Sequence, residues 1–159
     1  PRYRELSENQ RLNFWGQMIA AISFKESSWI PTTRFRENKA DFPQGDPVTK
    51  QPYVYSEGLL QLSYQDSVNY QSKFDCGFDW KIDRKLDPQS PEKTILSPYR
   101  NLRCCILILN HKIKANRKIM SSGMDWVVLR TESHKASQVK WIAAQTKALS
   151  FCPKTQPKK

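Results

Sequence analysis

Apolar residues at helical spacing lead up to an acidic residue near the start of the chain. The stripe consists of Leu12, Trp15, Ile19 and Ile22, and the next position at the same spacing is Glu26. Steps of three and four residues place these positions on one face of an α-helix. The pattern predicts a helix to about Ser28, opened by a capping box over residues 7–10. This helix should direct the Glu26 carboxyl along its buried face.

A central helix, a last helix and a short helix follow from similar signals. Pro98 at a first helical position opens the central helix, which should run to about Ile119. Its expected inner face is Leu102, Cys105, Ile106, Leu109 and Ile113. The last helix should run from about Ser137 to Leu149, and the short one from Ser63, as N-cap, to Lys73. The expected inner face of the last helix is Val139, Ile142, Ala143, Thr146 and Leu149.

The segment from Thr32 to Val54 has no helical period and contains Pro43, Pro47 and Pro52. We expect a long loop there with a short hairpin, and so long an irregular stretch is usually functional. The predicted fold class is therefore mainly α, with one helical domain over residues 1–152 and a small irregular or β lobe. Residues 153–159 are expected to form a basic disordered tail.

Composition limits the classes of function. The 159-residue chain has a net charge of +11, which suggests an anionic partner such as nucleic acid, anionic lipid or an acidic wall polymer. No nucleic-acid-binding motif is present, so we expect no nucleic-acid partner. The longest apolar run, Cys104–Leu109, is too short to span a membrane. A monomer is expected.

The chain contains an even number of cysteines, namely Cys76, Cys104, Cys105 and Cys152. Such a count suggests disulfides and an exported protein, periplasmic or secreted. Cys104 and Cys105 are neighbours on one helix, so each is expected to pair with Cys76 or Cys152 rather than with the other. Four free thiols are the alternative. Without a C-x-x-C motif and with isolated histidines, no metal site and no cofactor are expected.

Three short segments resemble the motifs of one enzyme family. Residues 19–29, Ile-Ala-Ala-Ile-Ser-Phe-Lys-Glu-Ser-Ser-Trp, are similar to the catalytic-glutamate motif of soluble lytic transglycosylases and goose-type lysozymes. Residues 56–62, Ser-Glu-Gly-Leu-Leu-Gln-Leu, resemble the second motif, with Leu60 in place of the common Met. Asp87-Pro88 followed by Asn101-Leu102 resembles the third. The later Tyr-Asn-Ala-Gly motif is not recognisable; residues 125–130 lie about where it should be.

The resemblance implies an α+β lysozyme-like fold and a peptidoglycan-cleaving glycosidase, a muramidase acting on the β-1,4 bond from N-acetylmuramic acid to N-acetylglucosamine. It implies that Glu26 is the catalytic acid; the alternative is a helix-terminal glutamate paired with a neighbour such as Lys25 or an arginine. A buried carboxyl with a raised pKa suits that role. Substrate-binding residues are expected in the second motif, namely Ser56, Glu57, Gly58, Leu60 and Gln61, with Gly58 also having a structural role.

Two product chemistries remain open. The Glu26 carboxylate could take a proton from the muramyl 6-hydroxyl, which is lytic transglycosylase chemistry and is slightly favoured. Hydrolytic lysozyme chemistry usually needs a second carboxylate to activate water. The candidates for that carboxylate are Glu37, Asp41, Asp46 and Glu57.

The acidic loop raises a question of substrate. Asp41 and Asp46 could bind amino sugars, so a lysozyme specialised for de-N-acetylated peptidoglycan is an alternative. A catalytically inactive glycan-binding protein is another. In each case the expected partner is the peptidoglycan glycan strand.

Overall fold

The computed structural model describes residues 3–130 and 136–152. Its helices are α1 (Glu8–Ser27), α2 (Tyr64–Asn69), α3 (Trp80–Asp83), α4 (Pro98–Asn116) and α5 (Ala136–Lys147), and its strands are β1 (Arg34–Arg36) and β2 (Tyr55–Glu57). Short 3-10 turns cover Tyr3–Glu5, Thr94–Leu96 and Val127–Leu129. The fold class is the predicted one, mainly helical with a small antiparallel sheet, as in an α+β lysozyme-like domain. The predicted tail, 153–159, lies outside the described residues.

The chain forms two compact units. One consists of residues 26–115, and the other of the two ends of the chain, up to Lys25 and from Asn116 onward. The first contains both strands and α2 to α4, apart from the last residue of α4. In the second, Ile142 and Thr146 on α5 are buried, as predicted, and Val127–Leu129 forms a 3-10 turn.

The start of α1 confirms the capping box but corrects the buried stripe. The Ser7 N–H donates to Gln10 Oε1 at 2.9 Å, and the Gln10 N–H donates to Ser7 Oγ at 3.3 Å. Leu12, however, is 63% exposed, whereas Met18 and Ile22 are buried. The stripe was wrong at its first position because other residues pack at that end of the helix, in an edge-to-face cluster of rings. The cluster is Tyr3, Phe14 and Trp15.

Strands β1 and β2 pair antiparallel, with Arg34 opposite Glu57, Phe35 opposite Ser56, and Arg36 opposite Tyr55. This is the hairpin expected in the long loop, although its second strand begins just after Val54. The pairing continues one residue further, because the Glu37 N–H donates to the Val54 carbonyl at 3.0 Å.

Helix α4 buries a different set of residues from the predicted one. Cys105 and Leu109 are buried as expected, but Ile106 is 49% exposed. Asn101 and Cys104 face inward instead, since Asn101 hydrogen-bonds the turn after β2 and Cys104 forms a disulfide. The helix ends at Asn116, before the predicted Ile119, and the next residue has a φ of 56°.

One disulfide joins Cys76 to Cys104, with a Cα–Cα distance of 4.7 Å. It anchors the irregular segment before α3 to α4, as predicted. The prediction of a second disulfide was wrong: Cys105 is a buried free thiol and Cys152 a partly buried one. Cys152 Sγ instead lies 3.5 Å from the Thr146 carbonyl oxygen.

A hydrogen-bonded network around Asp83 fixes the segment that leads into α4. Buried Asp83 accepts from the Tyr64 hydroxyl at 2.8 Å and from the Thr94 N–H at 2.7 Å. Burial and this carboxylate raise the pKa of Tyr64 far above its ordinary value. Because α2 begins at Tyr64, with Ser63 as its N-cap as predicted, the network also holds α2 in place.

Candidate active site

Glu26 lies one residue before the end of α1 and is partly buried. Burial raises the pKa of its carboxyl to about 7, and the negative charge of Glu37 adds to the rise. No cation among the described residues forms an ion pair with it. The alternative of pairing with Lys25 is not observed, because that ammonium group lies 4.4 Å from the ring centroid of Trp141. Glu26 can therefore hold a proton near neutral pH.

Glu37 supplies a second carboxyl group near Glu26. It follows β1 directly, and the Ser56 hydroxyl on β2 donates a hydrogen bond to its Oε1. The sheet register thus brings Ser56 and Glu37 together on one face, and the charge of Glu37 is felt at Glu26. The structure therefore places Ser56, a predicted binding residue, beside Glu37, a candidate for water activation. The charge of Glu37 in turn acts on Glu26, the predicted acid.

Two hydrogen bonds fix the turn that follows β2, one to the end of α1 and one to the residue before β1. The Ser27 hydroxyl donates to the Leu59 carbonyl at 3.0 Å, and the Gly58 N–H donates to the Thr33 carbonyl at 2.8 Å. Ser28 and Trp29 follow with φ angles of 52° and 64°. Two successive non-glycine residues in this region are strained, and such strain clusters at functional sites. The turn leaves Trp29 58% exposed, three residues after Glu26.

Glu57 does not have the substrate-binding role that was predicted for it. Its side chain is 2% exposed and forms ion pairs with Lys93, itself buried, and with Arg34 at 3.3 Å. The Lys93 ammonium also donates to the Pro88 carbonyl at 3.1 Å. A carboxylate enclosed by two cations is not available to a glycan or to a water nucleophile, so Glu57 is structural.

The rest of the second motif also builds the turn. Gly58 has a φ of 82°, and a Cβ there would lie 2.4 Å from Asn101 Nδ2, so only glycine fits. Asn101 accepts from the Leu60 N–H at 2.8 Å and donates to the carbonyls of Glu57 and Ile95 at 3.1 and 3.0 Å. The Leu60 side chain is fully buried, so the prediction that it contacts substrate was wrong.

Gln61 closes the same turn from a strained backbone. Its φ is 49°, and its side-chain amide donates to the Gly58 carbonyl at 2.8 Å. It is partly exposed, so its predicted place in a saccharide groove stays a prediction.

The two loop aspartates differ. Asp46 is 4% exposed, and its Oδ1 accepts from the N–H groups of Val48 and Thr49 at 2.8 and 3.2 Å. It stabilises a turn, so its predicted contact with substrate was wrong. Asp41 is exposed, and its role as a binding residue stays a prediction.

Cys105 is a buried thiol close enough to Glu26 for the charge of that carboxyl to act on it. Its thiol is fully buried, and burial together with the charge of Glu26 raises its pKa well above the ordinary value. A neutral thiol of low polarity near Glu26 is consistent with the desolvation of that carboxyl. No group of three or more His, Cys, Asp or Glu side chains within 3–130 and 136–152 is arranged to hold a metal ion.

The chain is similar in fold to solved structures of one protein, Bd0314 DslA from Bdellovibrio. The wild-type structure is 25% identical with a TM-score of 0.71, and two variants, each with a single glutamate-to-glutamine substitution, are 24% identical with TM-scores of 0.72 and 0.71. Each comparison covers 96% of this chain and 75% of the DslA chain. No protein-family model and no curated protein sequence matches this chain.

Sequence reasoning missed the role of Lys93 and the link from Ser56 to Glu37. Lys93 lies 36 residues from Glu57 along the chain, and no local pattern marks a buried lysine. For Glu37 a signal was present, because it follows a short alternating segment, Arg34–Arg36, that could pair with the strand holding Ser56.

Proposed function

We propose that this chain is a glycosidase that cleaves the β-1,4 bond between N-acetylmuramic acid and N-acetylglucosamine in peptidoglycan, with Glu26 as the general acid. The observation that supports this most strongly is the environment of Glu26. Its pKa is raised to about 7, no cation among the described side chains neutralises it, and a second carboxylate lies nearby. That combination is what a glycosidase acid needs.

In this proposal Glu26 gives its proton to the glycosidic oxygen as the bond from that oxygen to the muramyl anomeric carbon breaks. The glucosamine residue leaves with a free 4-hydroxyl. Positive charge develops on the anomeric carbon, and a nucleophile then attacks this carbon.

We infer that the nucleophile is water and that Glu37 takes its proton. The Ser56 hydroxyl bonds to Oε1 of Glu37, which leaves Oε2 to accept from a water molecule. A lytic transglycosylase has no need of this second carboxylate, since the muramyl 6-hydroxyl attacks instead. The preference drawn from the sequence alone is therefore reversed here in favour of hydrolysis.

The similarity to DslA is in keeping with this pair. The two glutamates that were replaced in the DslA variants lie 11 residues apart in that protein, as Glu26 and Glu37 do in this chain. The disulfide between Cys76 and Cys104 is compatible with an exported enzyme that meets the cell wall.

Two variants test this assignment on purified peptidoglycan sacculi, with products analysed by mass spectrometry. The wild type should release muropeptides with reducing muramyl ends, each heavier by one water than the 1,6-anhydro form. Glu37→Gln should lower this hydrolysis by at least about 100-fold. Asp41→Asn, an exposed carboxyl of the same loop, is the matched control and should retain full activity on acetylated wall. Products that are 1,6-anhydro muropeptides in both wild type and Glu37→Gln would refute the hydrolytic mechanism.

The sequence left two alternatives open, recognition of de-N-acetylated peptidoglycan and an inactive glycan-binding protein. Recognition of glucosamine amines by the two loop aspartates now depends on Asp41, since Asp46 is buried in a turn. The same Asp41→Asn variant, assayed on de-N-acetylated wall, tests it. An inactive glycan-binding protein would have no reason to keep Glu26 protonated near neutral pH.

A further inference from the structure

Phe35 is an exposed aromatic residue on the sheet face that carries the second carboxyl group. Side chains alternate between faces along a strand, so Phe35 and Glu37 point to the same side. Phe35 lies opposite Ser56 in the register, and the Ser56 hydroxyl bonds to Glu37. Phe35, Glu37 and Ser56 therefore share one face.

The other face of the sheet carries aromatic rings that are covered. The guanidinium of Arg34 lies 3.3 Å from the ring centroid of Tyr55, and that of Arg36 lies 4.8 Å from the ring centroid of Tyr53. Phe35 has no such cover: its ring is 59% exposed and stacks on no aromatic ring or cation of the described chain. An uncovered ring is thus found on the sheet face that carries Glu37, the candidate base.

We propose that Phe35 is a platform on which one sugar ring of the glycan strand stacks, adjacent to the bond that is cleaved. This inference rests on the proposed function. Two residues along a strand span about 7 Å, which is on the order of one sugar ring along a glycan. A ring bound on Phe35 would therefore neighbour the sugar held at Glu37.

The chemistry of the two surfaces is complementary. A β-linked pyranose presents axial C–H groups on one side of its ring, and these form an apolar patch with a slight positive charge. The face of a phenyl ring is apolar and carries negative charge density. Stacking removes both surfaces from water, so Phe35 contributes to glycan affinity and to the choice of sugar register, but not to proton transfer.

The test measures cleavage kinetics and glycan affinity for Phe35→Ala. KM for wall fragments should rise about tenfold while kcat stays close to wild type, because the exposed part of the ring is buried only on binding. Phe35→Trp should restore the wild-type KM. Tyr99→Ala is the matched control, since Tyr99 on α4 is 74% exposed and lies outside the sheet. Its KM should not change.

Affinity for a soluble peptidoglycan glycan fragment is measured by calorimetry in a Glu26→Gln background, where no cleavage occurs. Adding Phe35→Ala should weaken binding by a similar factor, with an unchanged melting temperature. A wild type that cleaves wall, together with a Phe35→Ala variant that equals it in both KM and affinity, would overturn the platform and leave the proposed function intact. A wild type that cleaves no wall would overturn the proposed function itself.

Discussion

Glu26 and Glu57 are two glutamates of the same compact unit, and their surroundings are opposite. Glu57 is enclosed between the cations of Arg34 and Lys93. Glu26 has no cation partner within the described ranges, and the charge that shifts its pKa is that of another carboxylate, Glu37. The first environment stabilises a carboxylate and the second stabilises a neutral carboxylic acid.

The difference lies in the partners of the two carboxyl groups rather than in their burial. Burial alone does not separate them, because Glu57 is the more deeply buried of the two. The partner decides: a buried ion pair fixes the charge and is costly to break, while an unpaired, desolvated carboxyl can exchange its proton near neutral pH. The same substitution at both positions should therefore have different consequences.

The largest expected effect is on activity. Glu26→Gln should reduce wall cleavage by at least about 100-fold, because the amide keeps the shape of the side chain but cannot transfer the proton. The fold should be retained, as judged by circular dichroism. Glu57→Gln, the matched control, should lose activity only in proportion to the fraction that is unfolded. A Glu26→Gln variant with more than about a tenth of wild-type activity would contradict the assignment of the acid.

The next effect is on stability, and it concerns Glu57. Glu57→Gln leaves buried Lys93 without its carboxylate, and breaking a buried pair in this way costs about 3–5 kcal/mol. Urea denaturation should show a correspondingly lower free energy of unfolding. The double variant Glu57→Gln with Lys93→Met removes the unpaired charge and should recover much of the loss. If the single variant is as stable as wild type, the pair does not hold the turn in place.

A smaller effect of opposite sign is expected for the stability of Glu26→Gln. In the unfolded chain Glu26 ionises near its ordinary pKa of 4.5, and in the folded protein near 7. The folded protein therefore binds the proton more tightly, so the free energy of unfolding falls as pH rises from about 4.5 to about 7 and stays lowered above.

Removing this carboxyl should therefore stabilise the protein above pH 7 by about 1–3 kcal/mol, less than the full shift because the group is partly open to solvent. Below about pH 4.5 the variant and wild type should be equally stable. Thermal denaturation at pH 4 and pH 8 measures the difference. A gain of the same size at both values would show that ionisation of Glu26 is not its cause.

Much of the fold could be predicted because its signals are local. The capping box at Ser7 and the proline that opens α4 each fix the backbone through near neighbours. The helical period was less reliable for burial, as Leu12 and Ile106 show, because neighbouring rings and a disulfide decide which face turns inward. Periodicity alone carries no information about such distant partners.

The site was predictable in part for the same reason. Glu26 could be named as the candidate acid because its motif is contiguous in the chain. The sequence could not show which of the candidate acids Glu37, Asp46 and Glu57 stays available to a substrate. That depends on which acid is bound by a backbone turn and which by a distant lysine. Similarly, four cysteines in the sequence cannot show that only Cys76 and Cys104 are joined.

The most direct test of the central claim is an NMR titration of the Glu26 carboxyl carbon in protein with 13C-labelled glutamate. The resonance is assigned by its absence in Glu26→Gln. In wild type it should titrate near pH 7, and in Glu37→Gln at a lower pH, because a neighbouring negative charge has been removed. A Glu26 carboxyl that titrates near 4.5 in wild type, and does not move in Glu37→Gln, would contradict the account.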